Sequence, residues 1–391
     1  MKIINKPRYI QVGKTEPFDE RDTVQSRYDM DQQLTTEWLE YYERHPEWER
    51  YDREMKTLPG LGAVGDPLDL SFFIQEVMQA IHYGREDMVD APFVAPVPFD
   101  ISPARAAEKI KGFARHLGAD LVRIGPLNPD YVYTHIGKTK FYPDRQRGTP
   151  IHLTHKSAVS MAISITPGFI KSGPVLPSSI ETLRVYTRLG MISDMIAGYI
   201  RSLGFSARAH NLFNYQVLCV PVAIDAGLGE LSRMGIMITK ELGPSLKLAT
   251  VTTDMPLDYD PPVDIGVEEF CRDCKICAKA CPSSAIPYGK QVAVRGVLKW
   301  KINPQACFRV WNETGTDCGI CIASCPWTKP GTFIHQCVRE IASRKMKAGW
   351  WMSRAERLAY GRFRPLPVPD WFEKPGLDIL KKYKRYKDIQ P

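Results

Sequence analysis

Eight of the ten cysteines in this chain of 391 residues lie between Cys271 and Cys325, in two runs that each close on Cys-Pro. The first, Cys271-x-x-Cys274-x-x-Cys277-x-x-x-Cys281-Pro282, has the spacing by which bacterial ferredoxins wrap thiolates around a [4Fe–4S] cube. The second is looser: Cys307 stands alone, followed by Cys318-x-x-Cys321-x-x-x-Cys325-Pro326 in CGICIASCPW. Four further thiolates make a second cluster possible. In two-cluster ferredoxins the cysteine before proline ligates the other cube. The expected sets are therefore Cys271, Cys274, Cys277 and Cys325 for one cluster, and Cys281, Cys307, Cys318 and Cys321 for the other. Zinc prefers paired Cys-x-x-Cys motifs with only four ligands, and a disulfide framework belongs to short secreted chains, so neither fits well. Cys219 and Cys337 are left over and read as buried apolar residues.

The chain is far too long for a ferredoxin alone, so the clusters are attached to something larger with its own core. Composition is that of a globular protein, 44% hydrophobic and 25% charged. No apolar run is long enough to cross a bilayer. The formal charge of +8 favours acidic partners such as electron-donor proteins and equally suits a solvated surface. No arginine-rich tract or base-stacking motif points to nucleic acid. The start, MKIINKPRYIQVGK, shows neither a twin-arginine pair nor an apolar segment, so the expectation is a cytoplasmic protein, or an exported one whose signal was trimmed.

Residues 1–94 read as an N-terminal extension packed on the main body. Trp38 and Trp48 within it are core or interface residues, or line a pocket. DLSFFIQEVMQAIHYGRED has helical spacing, capped by Asp69 or Ser71. From residue 95 helix and strand alternate. Ser102 and Pro103 open ARAAEKIKGFARHLG, Gly118 closes it, and ADLVRIGPL and AVSMAISIT are strands. SIETLRVYTRLGMISDMIAGYIRSLG is a long helix ended by Gly204, FSARAH a short strand, VLCVPVAIDAGLGE a helix running into glycines, and SLKLATVTTDMP a strand. This pattern predicts an α/β (α+β) layer fold over residues 95–262. DYDPPVDIG is the expected linker to a cluster domain at 263–335. Residues 336–391, with Trp350, Trp351 and PLPVPDWF, are expected to wrap back over the body.

AGLGELSRMGIMITKELGPSLKLATVTTDMPL followed by the two cysteine runs resembles the corrinoid-dependent reductive dehalogenases, as do FDERDTV, CFRVW and CGICIASCPW. The resemblance implies a nitroreductase-like α/β/α domain that binds cobalamin, followed by a two-cluster ferredoxin-like domain. It implies that electrons pass through both clusters to cobalamin, and that a carbon–halogen bond is broken in a dry pocket. Its proton donor would be Tyr186 in VYTRLGM. Lys247 would stabilise the tyrosinate and so depress the phenol's pKa, and Asn214 in NYQV would help hold the tyrosine or substrate. Each has a bland competitor: a core tyrosine, a strand-edge lysine and a turn asparagine.

Gly227, Gly229, Gly235 and Gly243 permit close backbone approach or serve turns. The stretch Gly235, Ile236, Met237, Ile238, Thr239 and Lys240 is expected against the corrin, bound base-off, since no Asp-x-His-x-x-Gly occurs. Trp311 would wall the pocket or pack the ferredoxin core. The implied partners are an organohalide and an external low-potential electron donor, ferredoxin- or flavodoxin-like or a quinol-linked membrane partner. A membrane-anchor subunit and a homodimer are compatible with the resemblance. No residue type separates a chlorinated ethene from a brominated phenol. The rival readings are an epoxyqueuosine reductase, which would act on tRNA and carry a helical-repeat tail, and a two-cluster electron carrier without corrinoid.

Overall fold

The computed structural model describes residues 2–30, 35–61, 86–91, 93–139, 145–174, 176–212 and 214–328, together with 354, 358 and 363–367. Most of the expected helix in DLSFFIQEVMQAIHYGRED, with its caps, lies outside these residues. So do Cys337, Trp350, Trp351 and most of the C-terminal segment.

Four strands, Leu121–Pro126, Ser157–Ser164, Leu246–Thr253 and Ala207–His210, form the central sheet in that order, and every pairing is antiparallel. Helices lie on both faces, which gives three layers of the α+β kind. The Pro103–His116 helix starts where Ser102 accepts the Arg105 N–H and Pro103 supplies a fixed φ. Its Ala106, Ala107, Ile110 and Ala114 recur at helical spacing and pack on one sheet face. The long Leu176–Ser202 helix joins them there through Val185, Leu189, Ile192, Ile196 and Ile200, against Ile163, Ala249 and Val251 of the strands. The opposite face takes the short Cys219–Asp225 helix, seven residues rather than the longer helix expected from VLCVPVAIDAGLGE. That helix packs very close: a Cβ on Gly125 would come within 2.7 Å of the Ala226 Cα. The glycines that follow end it because the chain turns there into a short hairpin, Glu230–Leu231 with Met237–Ile238.

DYDPPVDIG is not a free linker. Asp260 holds Lys111 at 3.0 Å, accepts the Ile124 N–H at 2.8 Å, and donates its own N–H to the Ile124 carbonyl. Beyond it Val263–Asp264 pairs with Lys2–Ile3. The composition is turn-like because prolines lack donors, yet Asp260 carries acceptors enough to stitch the segment to the sheet edge.

The N-terminal residues reach both the loops around residues 130–147 and the cysteine-rich part. Ile10–Gln11 adds a third strand to the hairpin Val292–Val294 and Val297–Lys299. Arg8 bridges Asp264 and Glu269, Tyr51 donates to the Gln305 carbonyl at 2.6 Å, and Glu54 pairs with Arg309. Trp38 is wholly buried in a small core with Met30, Tyr41 and Tyr42, against which Trp48 packs, so both tryptophans serve packing. Beneath lies a buried ion pair, Arg27 to Asp52 at 2.7 Å, which Tyr42 also satisfies. Phe363 packs beside Trp311, and the Leu366 N–H donates to the Lys171 carbonyl. Among the described residues no helix is long and apolar enough to cross a membrane.

Candidate active site and cluster-binding residues

The two cysteine runs fold into short helices whose ends bring the thiols into two groups. Cys271 and Cys274 close the Val267–Cys274 helix, and Lys275 turns the chain at φ 56° into Ile276–Ala280, which carries Cys277. Cys325 arrives from the second run, and the four thiols line one cavity with Phe270, Arg233, Met234, Lys275 and Pro326. Burial pushes the Cys325 thiol well up, and the nearby Cys271, Cys277 and Cys274 push it further. In the other group burial pushes Cys321 up to about 12, helped by Cys307 and Cys281, while Cys318 feels Cys321, Cys307 and Cys281. Cys277 also senses Cys321, so the groups adjoin.

None of the nine described cysteines is in a disulfide. Four like charges gathered out of water require a cationic core to become thiolates. Among the described residues no three His, Cys, Asp or Glu side chains converge on a point fit for a single metal ion. Thiols ringed about a cavity suit a four-iron cube, which is a wider body than a zinc ion.

The helix–sheet face carries the tyrosine and the lysine. In Leu246–Thr253 the odd positions share a face with Ala249 and Val251, and Lys247 lies opposite Ile163 in register. The ammonium sits 5.1 Å from the ring centroid of Tyr186, above the aromatic face. Both residues are half-buried. Asn214 is not with them. In Ala207–His210 the alanines face the long helix, so Arg208 points to the other side, and its guanidinium donates to the Asn214 Oδ1 at 2.8 Å. Asn214 therefore lies across the sheet from Tyr186. The asparagine on the tyrosine's side is Asn211, whose Nδ2 donates to Asp194 at 3.1 Å on the same helix, about 12 Å along from Tyr186. Its Oδ1 is buried without a partner among the described residues. The alternation of Ala207 and Ala209 with Arg208 and His210 was the available signal.

Asp317, immediately before Cys318, fastens the second cysteine run to the tyrosine's helix. Its carboxylate accepts from Ser178 at 3.1 Å, Ser179 at 2.8 Å and Thr182 at 2.8 Å. Thr182 stands one turn before Tyr186 on the same helical face. Thus the group of Cys281, Cys307, Cys318 and Cys321 is held mechanically against the Tyr186 helix.

Of the Gly235–Lys240 stretch, Met237 packs against Ala162, Ala223 and Ile224 under the sheet, while Ile238 joins Met234 and Phe270 beside the cluster cysteines. Thr239 is buried and bonded to Gly243 across the backbone; Gly235, Ile236 and Lys240 are half-buried. The stretch is thus a wedge between sheet and clusters, with its buried side chains committed to protein. Trp311 packs beside Val310, Cys318 and Ile320, on the second group of cysteines.

The family described as 4Fe-4S dicluster domain matches residues 270–329. The tetrachloroethene reductive dehalogenase of Sulfurospirillum multivorans is 32% identical over 289 residues, which is 65% of this chain and 57% of that relative. Over this part of its length the chain is similar to reductive dehalogenases. Solved dehalogenase structures share its fold. The catabolic reductive dehalogenase NpRdhA in complex with 3-bromo-4-hydroxybenzoic acid superposes with a TM-score of 0.74 at 24% identity, over 93% of this chain and 50% of that one. A second, reported as suggesting a mechanism for B12-dependent dehalogenation, gives 0.75 at 23% identity, over 98% and 55%. The chain spans about half the length of these relatives.

Two residues near the cysteine groups escaped sequence reasoning. One is Asp317. The other is Arg233, 1% exposed, which donates to the carbonyls of Cys271, Arg272, Pro287 and Gly289 and stacks 4.5 Å from the Trp300 ring centroid. Both act across long sequence separations, so no local pattern marks them.

Proposed function

We propose that this chain carries out corrinoid-dependent reductive dehalogenation, replacing a carbon-bound halogen of an organohalide by hydrogen. In balance, the carbon–halogen bond breaks, a pair of electrons and one proton enter, and halide leaves. The observation that carries the reading is the Tyr186–Lys247 pair on a helix tied by Asp317 to the loop of Cys318. It joins a proton donor to an electron store. Cobalamin, when bound, supplies a low-valent cobalt reductant. Its cobalt sits in the corrin, so the chain needs no ligating side chain. The orphaned Oδ1 of Asn211 is a buried acceptor suited to an amide of the corrin rim.

Tyr186 holds the proton at its hydroxyl, and the Lys247 ammonium over the ring stabilises the negative charge left when that proton moves. Cys271, Cys274, Cys277 and Cys325 hold one cluster, and Cys281, Cys307, Cys318 and Cys321 the other. The Leu176–Ser202 helix fixes Tyr186 by packing Val185 and Leu189 into the core. Electrons come from a separate low-potential donor, such as a ferredoxin- or flavodoxin-like protein.

The test is to assay cobalt, iron and halide release in anaerobic protein loaded with cobalamin. Near one cobalt and about eight iron per chain, with halide released from a brominated phenol or a chlorinated ethene, supports the proposal. Tyr186→Phe is expected to keep the metal content and lose nearly all halide release. Full iron with no cobalt overturns the corrinoid reading, and full activity in Tyr186→Phe removes the proton-donor role.

A further inference from the structure

Arg233 is a permanent cation buried to 1% exposure, and its four hydrogen-bond acceptors are all neutral carbonyls. No carboxylate lies in ion-pair contact with it among the described residues; Asp273 acts on it from a distance, behind Cys271, Cys277 and Cys274. A buried charge without an opposite charge is strongly disfavoured. Its guanidinium lines the cavity of Cys271, Cys274, Cys277 and Cys325. A cube ligated by four thiolates is net negative and gains one more negative charge on reduction, so it is the missing opposite charge. Around the second group the described packing is uncharged: Val310, Ile320, Ala280 and Trp311 surround Cys318.

Resting on the reading that both clusters bind, we propose that Arg233 is the counter-ion of the cluster on Cys271, Cys274, Cys277 and Cys325, and holds its reduction potential above that of the other cluster. A fixed cation stabilises the reduced form more than the oxidised one, because the reduced cube carries more charge. Trp300 and four carbonyls lock the guanidinium, so the field does not relax when the electron arrives. The two cubes are thereby unequal. An incoming electron therefore settles first on the cube beside Arg233.

The experiment is a redox titration of the iron-loaded wild type, Arg233→Gln and Arg233→Lys, followed by electron paramagnetic resonance, with iron counted in each. The second cluster is the internal reference. At a poise where the Arg233 cluster is half reduced in wild type, Arg233→Gln is expected to cut its reduced-to-oxidised ratio about tenfold, about 59 mV for a one-electron couple. The other cluster stays put, and Arg233→Lys restores most of the ratio. If Arg233→Gln sheds one cluster while Arg233→Lys keeps both, the charge is needed to hold that cube, which also supports the role. Unchanged potentials in a fully loaded Arg233→Gln, equal shifts at both clusters, or loss of the same cluster from both variants would each overturn it. Wild type that takes up no iron sinks the cluster reading itself.

Discussion

Asp317 is the joint between the cluster region and the Tyr186 helix, and cutting it gives a prediction with a magnitude. Its carboxylate accepts from Ser178, Ser179 and Thr182 at 3.1, 2.8 and 2.8 Å. A hydrogen bond to a charged acceptor contributes roughly 1.5–3 kcal/mol, and a half-buried carboxylate sits at the low end. Three donors sharing one carboxylate are not additive, so the set contributes about 3 kcal/mol rather than the simple sum. Asp317→Asn keeps the volume and one acceptor oxygen, and is expected to cost about half of that, roughly 1.5 kcal/mol. Removing Asp317 also loosens the attachment one turn from Tyr186, so halide release should fall with metal content unchanged. The assay is a double-mutant cycle of Asp317→Asn with Thr182→Val, read from urea midpoints of anaerobic iron-loaded protein. A coupling of about 1 kcal/mol is expected for groups in direct contact. If the two changes add to within about 0.3 kcal/mol, the hydroxyl and the carboxylate do not cooperate and the mechanical link is wrong.

Other parts of the structure make equally definite demands. Exchanging Cys325 for Ser should disturb the cluster of Cys271 and spare that of Cys318, while Cys281→Ser does the reverse. Resonance spectra of the two variants decide it, and an assignment that follows sequence order would show the opposite. Gly243→Ala should cost on the order of 3 kcal/mol, since φ is +63° and the new Cβ would lie 2.1 Å from the Trp327 carbonyl oxygen. A thermal midpoint within a degree of wild type would contradict that close approach. Burial raises Asp225 from 3.8 to about 7, against a weaker opposing hydrogen bond from Tyr9. Between about pH 4 and 7 the folded state keeps a proton that the unfolded chain has released, so stability falls as pH rises through that window and then levels off. Asp225→Asn should abolish this fall, gaining on the order of 4 kcal/mol at pH 8 relative to pH 4. Parallel stability curves for the two proteins would rule the mechanism out.

The sequence by itself determined what depends on near neighbours. The spacing of Cys271, Cys274 and Cys277 fits short helical turns, and the Cys-Pro ends mark the crossing ligands, because a few residues of backbone fix where each thiol points. Ser102 and Pro103 placed a helix start, and alternating or helical apolar spacing placed the sheet strands and the long helix. Lys247 came from the family resemblance, and strand parity accounts for its place above the Tyr186 ring.

Tertiary structure alone decided which residues meet across the chain. Asn214 and Asn211 differ by three positions, yet the turn between them sends one to Arg208 behind the sheet and keeps the other beside Asp194. Antiparallel pairing throughout the sheet, the seat of Ile10–Gln11 on the hairpin near residue 298, and the stitching of Asp260 to Ile124 all join distant segments. So do Asp317 to Thr182 and Arg233 to Cys271, over 135 and 38 residues. Periodicity reports which side of an element is buried, because burial acts on one side chain at a time. It does not report against what, since that is set by the joint packing of segments whose order in space the local pattern leaves free.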